Sequence, residues 1–264
     1  MVKKVPPRLY KIQSFEGKSS IENLRRSQIW FSKPAGLNDP FDCAIPVNFI
    51  DTDNEDVMAK FFENYYFENL RKSGNAEEIS KFKREHFRNG KPDQETVTQA
   101  NKIIREFSQQ QNEKYSNTGV ACFTTELTNI LMWSHYANGH RGFCLEFDTE
   151  YFLSSAKLIK VIYGSSYPTL SPEDLFKAPH KLAEPLHTKS KDWENEEEWR
   201  LIMKKGDSSF EYNPKALTGI YFGYWALKEN IDKIITLPAK SAPRLYQMQR
   251  SKTEFKLEYT SYSR

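Results

Sequence analysis

The pattern of apolar and polar positions divides the chain into strand-rich parts near both ends and a helical part between them. Short apolar or alternating runs, which are typical of β-strands, occur before residue 33 and again after residue 118. Residues 119–148 read as a strand, a short helix and a second strand, and a further helix is predicted at 225–231. The other predicted strands are 8–12, 28–32, 158–163, 199–203, 220–222, 234–237, 245–248 and 255–259.

Residues 51–117 have a different pattern, because their apolar side chains recur three and four positions apart, as on one face of a helix. Phe61 and Tyr65 belong to the first of three such faces, and Val97 and Ile104 belong to the last. The pattern predicts one domain, residues 1–264, in which 51–117 is a helical insertion. Strands at both ends and helices in the middle indicate an α+β fold with a mixed, mostly antiparallel sheet.

The composition limits the classes of protein to consider. The 38 basic and 35 acidic residues leave a net charge of +3, which is too small to indicate nucleic-acid binding by itself. The last stretch is more basic, and a solvated surface is the favoured interpretation of it. Its charged residues are Lys240, Arg244, Arg250, Lys252, Lys256 and Arg264, against Glu254 and Glu258.

Two further features concern redox chemistry and location. The spacing of Cys43, Cys122 and Cys144 fits neither a disulfide framework nor a zinc site. The first ten residues contain no apolar signal core, and no apolar run is long enough to cross a membrane. We therefore expect a cytoplasmic protein without a membrane partner, and no bound metal.

Three segments carry candidate chemistry. Residues 133–136 read Trp-Ser-His-Tyr, which suits an aromatic or nucleotide ligand as well as it suits an aromatic corner of the core. Glu196, Glu198 and Arg200 alternate along a predicted strand and would share one face. That face would either bond ribose hydroxyls or form a cross-strand salt-bridge ladder. The turn at 38–42, with Asn38, Asp39 and Asp42 around Pro40, is either structural or a ligand-holding loop.

An ordered set of these segments resembles a known family. The segments are LYKIQSF, SIENLRRSQIWFSKPAGLNDPFD, GVACFTTE, MWSHYANGHRGFCLEFD and, last, K-x-W-x-x-E-x-E-W-R-L-I. Together they are similar to the bacterial domain-of-unknown-function 2971 (DUF 2971) family, over most of the chain outside the helical part. The resemblance leaves the biochemical function open.

A more distant resemblance is to ADP-ribosyltransferases, which carry three elements in order. These are a first strand with Arg or with His/Tyr, a second strand with Ser/Thr or Tyr, and a late strand with a catalytic Glu, often in E-x-E. Arg8 or Tyr10 matches the first element, Thr124 or Tyr136 the second and Glu198 the third, although the first strand lacks His.

This resemblance implies a split sheet, NAD as substrate, and a protein or nucleic-acid acceptor, in phage defence or a toxin system. The implied catalytic residues are Glu198, Tyr136 and His135. The implied cofactor-binding residues are Arg8, Tyr10, Asn38, Asp39, Asp42, Thr124, Trp133, Glu196 and Arg200. Two other classes stay open: a non-catalytic nucleotide-binding sensor or interaction module, and a nuclease-like enzyme that uses Glu196 and Glu198 with a metal.

Overall fold

A computed structural model describes residues 4–17, 19–43, 49, 51–152, 157–238 and 240–263. The chain forms two compact units. The first consists of Met1–Asn38, Asn117–Tyr163 and Lys189–Arg264, and the second of Asp39–Ser116 and Gly164–Thr188. The interpretation of the whole chain as one domain with an insertion at 51–117 stays a prediction.

The strands are numbered in chain order. They are β1 (Arg8–Gln13), β2 (Gln28–Phe31), β3 (Phe87–Arg88), β4 (Lys91–Pro92), β5 (Gly119–Thr124), β6 (Phe143–Asp148), β7 (Lys157–Lys160), β8 (Ile162–Gly164), β9 (Thr188–Ser190), β10 (Glu198–Met203), β11 (Ser208–Glu211), β12 (Leu217–Phe222), β13 (Arg244–Arg250) and β14 (Leu257–Ser261).

The α-helices are α1 (Ser20–Arg26), α2 (Glu55–Phe61), α3 (Phe67–Lys72), α4 (Ala76–His86), α5 (Gln94–Ser116), α6 (Ile130–Tyr136), α7 (Thr149–Phe152), α8 (Asp174–Lys177) and α9 (Lys228–Ile235). A π-helical turn, Phe62–Tyr66, joins α2 to α3. Short 3-10 helices cover Pro34–Gly36, Pro179–Leu186, Lys191–Glu196 and Pro214–Ala216.

An eight-stranded sheet forms the body of the first unit, in the order β14-β13-β12-β6-β1-β5-β10-β7. Strands β12 and β13 run parallel, whereas β12–β6, β6–β1, β1–β5, β5–β10, β10–β7 and β13–β14 are antiparallel. The predicted α+β class with a mixed, mostly antiparallel sheet is therefore confirmed. The predicted order of strand, short helix and strand within 119–148 is confirmed as well, by β5, α6 and β6.

The two faces of this sheet differ in chemistry because successive side chains of a strand point to opposite sides. One face is apolar and carries the main core of the unit, which includes Leu9, Phe123, Phe147, Leu201 and Phe222. The other face receives the alternate positions, many of which are polar or charged. The candidate site lies on this second face.

One predicted strand is wrong. The first half of the run at 234–237 belongs to helix α9, which ends at Ile235 and in which Ile231 and Ile234 are buried three positions apart. Such spacing places both side chains on the same side of a helix. A run of four residues with three apolar side chains fits a strand and the end of an amphipathic helix equally well, and here the packing against the core decides for the helix.

The second unit has its own core, made of aromatic and aliphatic side chains from its helices. Phe62 and Phe67 have ring centroids 5.7 Å apart, and both are almost fully buried. Val97 and Ile104 of the long helix α5 join the same cluster. The helical spacing seen in residues 51–117 thus corresponds to helices α2 to α5, which span most of that segment.

Candidate functional site

The site is organised by one row of residues across four adjacent strands. Tyr10 of β1 is the register partner of Glu146 on one side and of Thr124 on the other. Thr124 of β5 is in turn the partner of Glu198 on β10. Register partners project from the same face of a sheet. The row therefore runs Glu146, Tyr10, Thr124, Glu198 and has a carboxylate at each end.

Glu198 is held by two cations in a fully buried setting. Arg200 Nε donates to Glu198 Oε1 at 2.7 Å, and Arg200 Nη2 donates to Oε2 at 3.1 Å. Lys189 Nζ also donates to Oε2 at 3.1 Å. Burial raises the pKa of the Glu198 carboxyl, but the charges of Arg200 and Lys189 outweigh it and hold the pKa at about 2. This carboxylate is consequently ionised at neutral pH.

Glu196 forms the second half of the same network. Its Oε2 accepts from Lys189 Nζ at 2.5 Å and its Oε1 accepts from Tyr136 OH at 2.7 Å. Burial raises the pKa of Glu196, and the positive charge of Lys189 opposes that shift. Burial also raises the pKa of the Tyr136 hydroxyl, which keeps that hydroxyl protonated so that it can donate.

The local backbone explains how both carboxylates reach one lysine. Glu196 ends the 3-10 helix Lys191–Glu196, and Glu197 follows with φ of 45°, in the left-handed region. The prediction that Glu196 lies on the same strand as Glu198 is wrong, because β10 begins only at Glu198. Thr124 Oγ1 donates to the Glu196 carbonyl at 2.6 Å and so fixes this turn against the sheet.

Glu146 forms the other end of the row. It is almost fully buried and forms an ion pair with Arg8. Thr218 Oγ1 and Tyr221 OH donate to its two oxygens at 2.6 and 2.5 Å. Burial, followed by the charge of Glu146, raises the pKa of Tyr10 to about 12. The cation that pairs with Glu146 is therefore Arg8.

The two carboxylates at the ends of the row are equally buried, but their cations differ in exposure. The Arg8 side chain is 40% exposed, against 0% for Arg200 and 3% for Lys189. Tyrosines surround the Glu146 end: the rings of Tyr221 and Tyr246 stack at 4.5 Å, and the centroid of Tyr259 lies 5.3 Å from that of Tyr246. Tyr221 is only 2% exposed, so solvent reaches this face at the Arg8 guanidinium and at Tyr259, which is 47% exposed.

The remaining predicted site residues take separate positions. Trp133 is fully buried, and its Nε1 donates to the Leu127 carbonyl at 2.6 Å. His135 is exposed and has its ring 5.7 Å from that of Trp193. Asn38 shares a hydrogen bond with Tyr136.

The structure thus brings together Tyr10, Thr124, Tyr136, Glu196, Glu198 and Arg200, with Arg8 at the Glu146 end. Asp39 and Asp42 are buried residues of the second unit.

Two residues of the network were not predicted. Glu146 is the one carboxylate within the apolar run Phe143–Phe147, and such a charge inside a buried strand is a usable signal. Lys189 stands in a polar segment between Thr188 and Ser190, where nothing in the sequence distinguishes a buried lysine from an exposed one.

Among the described residues, no three His, Cys, Asp or Glu side chains are grouped so that they could hold a metal ion. Glu196 and Glu198, which the nuclease hypothesis requires as ligands, share Lys189 as a cationic partner. In the described part of the chain, none of the helices combines the length and apolar character needed to cross a bilayer.

Comparison with known proteins identifies a similarity over part of the chain. Residues 132–201 match the model of a family described as protein of unknown function (DUF2971). The matched segment includes Tyr136, Glu146, Lys189, Glu198 and Arg200, so both ends of the row lie within it. No curated protein and no solved structure matches the chain.

Proposed function

We propose that the chain is an ADP-ribosyltransferase-like enzyme that cleaves NAD, with Glu198 as its catalytic carboxylate. The observation that carries the proposal is the row of register partners Tyr10, Thr124 and Glu198 on adjacent strands. The resemblance to ADP-ribosyltransferases requires a tyrosine or arginine, a serine or threonine, and a late glutamate, in that chain order. These three residues are far apart in the sequence and adjacent on one face of the sheet.

The proposed role of Glu198 is electrostatic. Cleavage of the bond between nicotinamide and ribose leaves positive charge on the ribose as nicotinamide departs with the bonding electrons. An ionised carboxylate in a dry setting stabilises that charge more strongly than one in water. The low pKa of Glu198 keeps it ionised without loss of burial.

Access to Glu198 sets a condition on this mechanism. With 2% of the residue exposed, a ribose hydroxyl reaches the carboxylate only by replacing a present contact. Lys189 Nζ lies 3.1 Å from Glu198 Oε2 and 2.5 Å from Glu196 Oε2. The longer contact is the one that we expect a hydroxyl to replace, with Glu196 retaining the lysine.

The test compares two neighbouring glutamates. Purified wild type, Glu198→Gln and Glu197→Gln are incubated with NAD, and released nicotinamide is measured with water, protein and single-stranded or duplex nucleic acid as acceptors. Glu197 is about half exposed and pairs with Lys160, so it is the matched control. We expect Glu198→Gln to lower the rate about 10²–10³-fold and Glu197→Gln to leave it unchanged.

Stability has to be controlled, because Glu198→Gln removes the shared counter-charge of Arg200 and Lys189. Each variant is therefore melted first, and NAD cleavage is compared at a temperature at which all three are folded. Full turnover by Glu198→Gln under those conditions would refute the catalytic assignment. If the wild-type protein releases no nicotinamide with any of these acceptors, the proposal that it is an NAD-cleaving enzyme is refuted.

A second candidate is a non-catalytic nucleotide-binding module, and the exposure of Arg8 beside Glu146 favours it. The groups that solvent reaches are Arg8, which suits a phosphate, and Tyr259, which suits a base. If wild type binds NAD or ADP-ribose by calorimetry without cleaving NAD, and Arg8→Met weakens that binding, the binding function replaces the enzymatic one.

A further inference from the structure

A second site candidate lies on the first unit, around the turn between β13 and β14. This groove, hereafter the β13–β14 groove, has a volume of about 660 Å³. Its walls are the turn itself, the start of α6 and the segment after β12. The residues that line it are Ile130, His140, Tyr224, Trp225 and Arg250 to Leu257. None of the residues of the Glu198 network lines it.

Exposed aromatic rings are concentrated there. Trp225 is 56% exposed, Tyr224 is 37% exposed and Phe255 is fully exposed. Tyr224 and Trp225 have ring centroids 5.6 Å apart, and His140 meets the Trp225 ring edge-on at 6.0 Å. Single exposed apolar side chains are ordinary, whereas a group of them around one concavity is typical of a binding surface.

The charge of the groove is positive. Arg250, Lys252 and Lys256 line it, and Glu254 is the one acidic residue among its lining side chains. Glu254 already forms an ion pair with Lys256. Arg250 and Lys252 therefore leave a cationic surplus beside the exposed rings.

Arg141 extends this cationic surface. Its guanidinium lies over the Trp225 ring, 5.4 Å from the ring centroid. A cation in that position both fixes the ring and presents donors next to it. Charge and aromatic surface are thus interleaved.

The platform that carries Trp225 is fixed by backbone contacts. Trp225 N donates to the His140 carbonyl at 3.0 Å, and Gly223 N donates to the Gly142 carbonyl at 2.8 Å. A side chain at Gly223 would place its Cβ 2.3 Å from the His140 carbonyl oxygen. The close approach of the two segments therefore needs glycine at 223 and orients the tryptophan in advance of binding.

We propose that the β13–β14 groove binds single-stranded nucleic acid. Bases stack on Trp225, Tyr224 and Phe255, while Arg141, Arg250 and Lys252 contact the backbone phosphates. Aromatic faces interleaved with cations are the means by which proteins bind single strands without reading sequence. An acidic peptide would satisfy the charges, but it would leave the stacking faces without flat partners. This proposal is independent of NAD cleavage.

The first experiment measures binding of fluorescein-labelled dT15 and rU15 to the full chain by anisotropy at several salt concentrations. We expect Trp225→Ala and Phe255→Ala each to weaken binding about 5- to 150-fold, which is the range that stacking of one base on an aromatic side chain typically contributes. Trp30→Ala is the matched control, because Trp30 is 40% exposed and does not line the groove. Its affinity should equal that of wild type.

The second experiment tests the charges. Lys252→Glu should weaken binding and flatten the dependence of affinity on salt, because fewer counterions are released on binding. Lys215→Glu, at another exposed position, controls for net charge. Melting curves of all variants confirm that the changes at these exposed positions leave the fold intact.

Three results would overturn the proposal. The first is absence of binding of either oligonucleotide at low salt. The second is binding that Trp225→Ala and Phe255→Ala leave unchanged. The third is competition by poly-glutamate at the same charge concentration as dT15, which would identify a site for acidic polypeptides instead.

Discussion

Lys189 provides the sharpest test of the buried charge network. Its side chain is 3% exposed and contacts two carboxylates that are themselves 4% and 2% exposed. Replacing it by methionine keeps much of the volume and removes the charge. Glu198 retains Arg200, but Glu196 loses its cation and keeps the hydrogen bond from Tyr136.

The expected cost follows from that imbalance. Removing one partner of a buried ion pair typically destabilises a protein by about 3–5 kcal/mol, because the other charge stays buried without compensation. Lys160→Met is the matched control: Lys160 pairs with Glu197, with 24% and 44% of the two side chains exposed. Exposed pairs contribute roughly 0.2–1 kcal/mol. Lys189→Met should therefore lose several times more stability than Lys160→Met.

The loss should also depend on pH. Burial already raises the pKa of Glu196 in the presence of Lys189, and removing that positive charge raises it further. A carboxyl whose folded-state pKa lies above its unfolded value loses stabilisation as the pH rises through the folded pKa. The loss of unfolding free energy in Lys189→Met should accordingly grow between pH 5 and pH 8. Adding Glu196→Gln to that variant should recover part of the lost stability.

Hydrogen exchange of the β10 amides is the appropriate assay. It reports the opening free energy of the unit that contains Lys189, whereas a whole-chain melt would mix the two units. The reasoning would be refuted if Lys189→Met and Lys160→Met lowered β10 protection equally. A pH-independent deficit would refute the assignment of the unpaired charge to Glu196.

Three further outcomes follow from the contacts of the first unit. The pKa of Glu198 is about 2 in the folded state, against an ordinary value of 4.5. The stability that its ionised form contributes should therefore be complete above pH 4.5 and lost as the pH falls toward 2. Hydrogen-exchange protection of the β10 amides, measured as a function of pH, should show this loss, and Glu198→Gln should make the protection less dependent on pH. Gly142→Ala should destabilise the fold by about 1–3 kcal/mol in urea unfolding, because the added Cβ would lie 2.2 Å from the Gln13 carbonyl oxygen. Gly164→Ala is the control, because its added Cβ would come no closer than 3.4 Å to another atom, the Ser166 carbonyl oxygen. Tyr221→Phe should cost about 1.5–3 kcal/mol through its lost bond to buried Glu146, and an unchanged melting temperature would contradict that account.

The elements of the first unit were predictable where the side-chain period was unambiguous. Trp199 and Leu201 alternate with Glu198 and Arg200, and β10 follows that alternation. The apolar runs around α6 likewise corresponded to β5 and β6. Where the apolar run was too short to show a period, as at 234–237, tertiary packing decided between strand and helix. No local pattern carries that information.

The candidate site was predictable in part for the same reason. Alternation placed Glu198 and Arg200 on one face, because that relation is local. The partnership of Lys189 with Glu196 depends on a 3-10 helix and a left-handed Glu197, which redirect the chain just before β10. The pairing of Arg8 with Glu146 depends on strand order, with β6 beside β1. The first relation depends on irregular backbone between residues seven positions apart, which has no repeating pattern in the sequence. The second arises only when segments 138 positions apart meet.

The buried network also has an evolutionary consequence. Loss of one member of a buried ion group is costly, whereas replacement of the whole group by well-packed apolar residues is often neutral or favourable. Lys189, Glu196, Glu198 and Arg200 share contacts within one such group. Substitution at one of these positions alone should therefore be rare among descendants of this sequence. We expect the four residues to be inherited together and, in lineages that lose the site, to be replaced together.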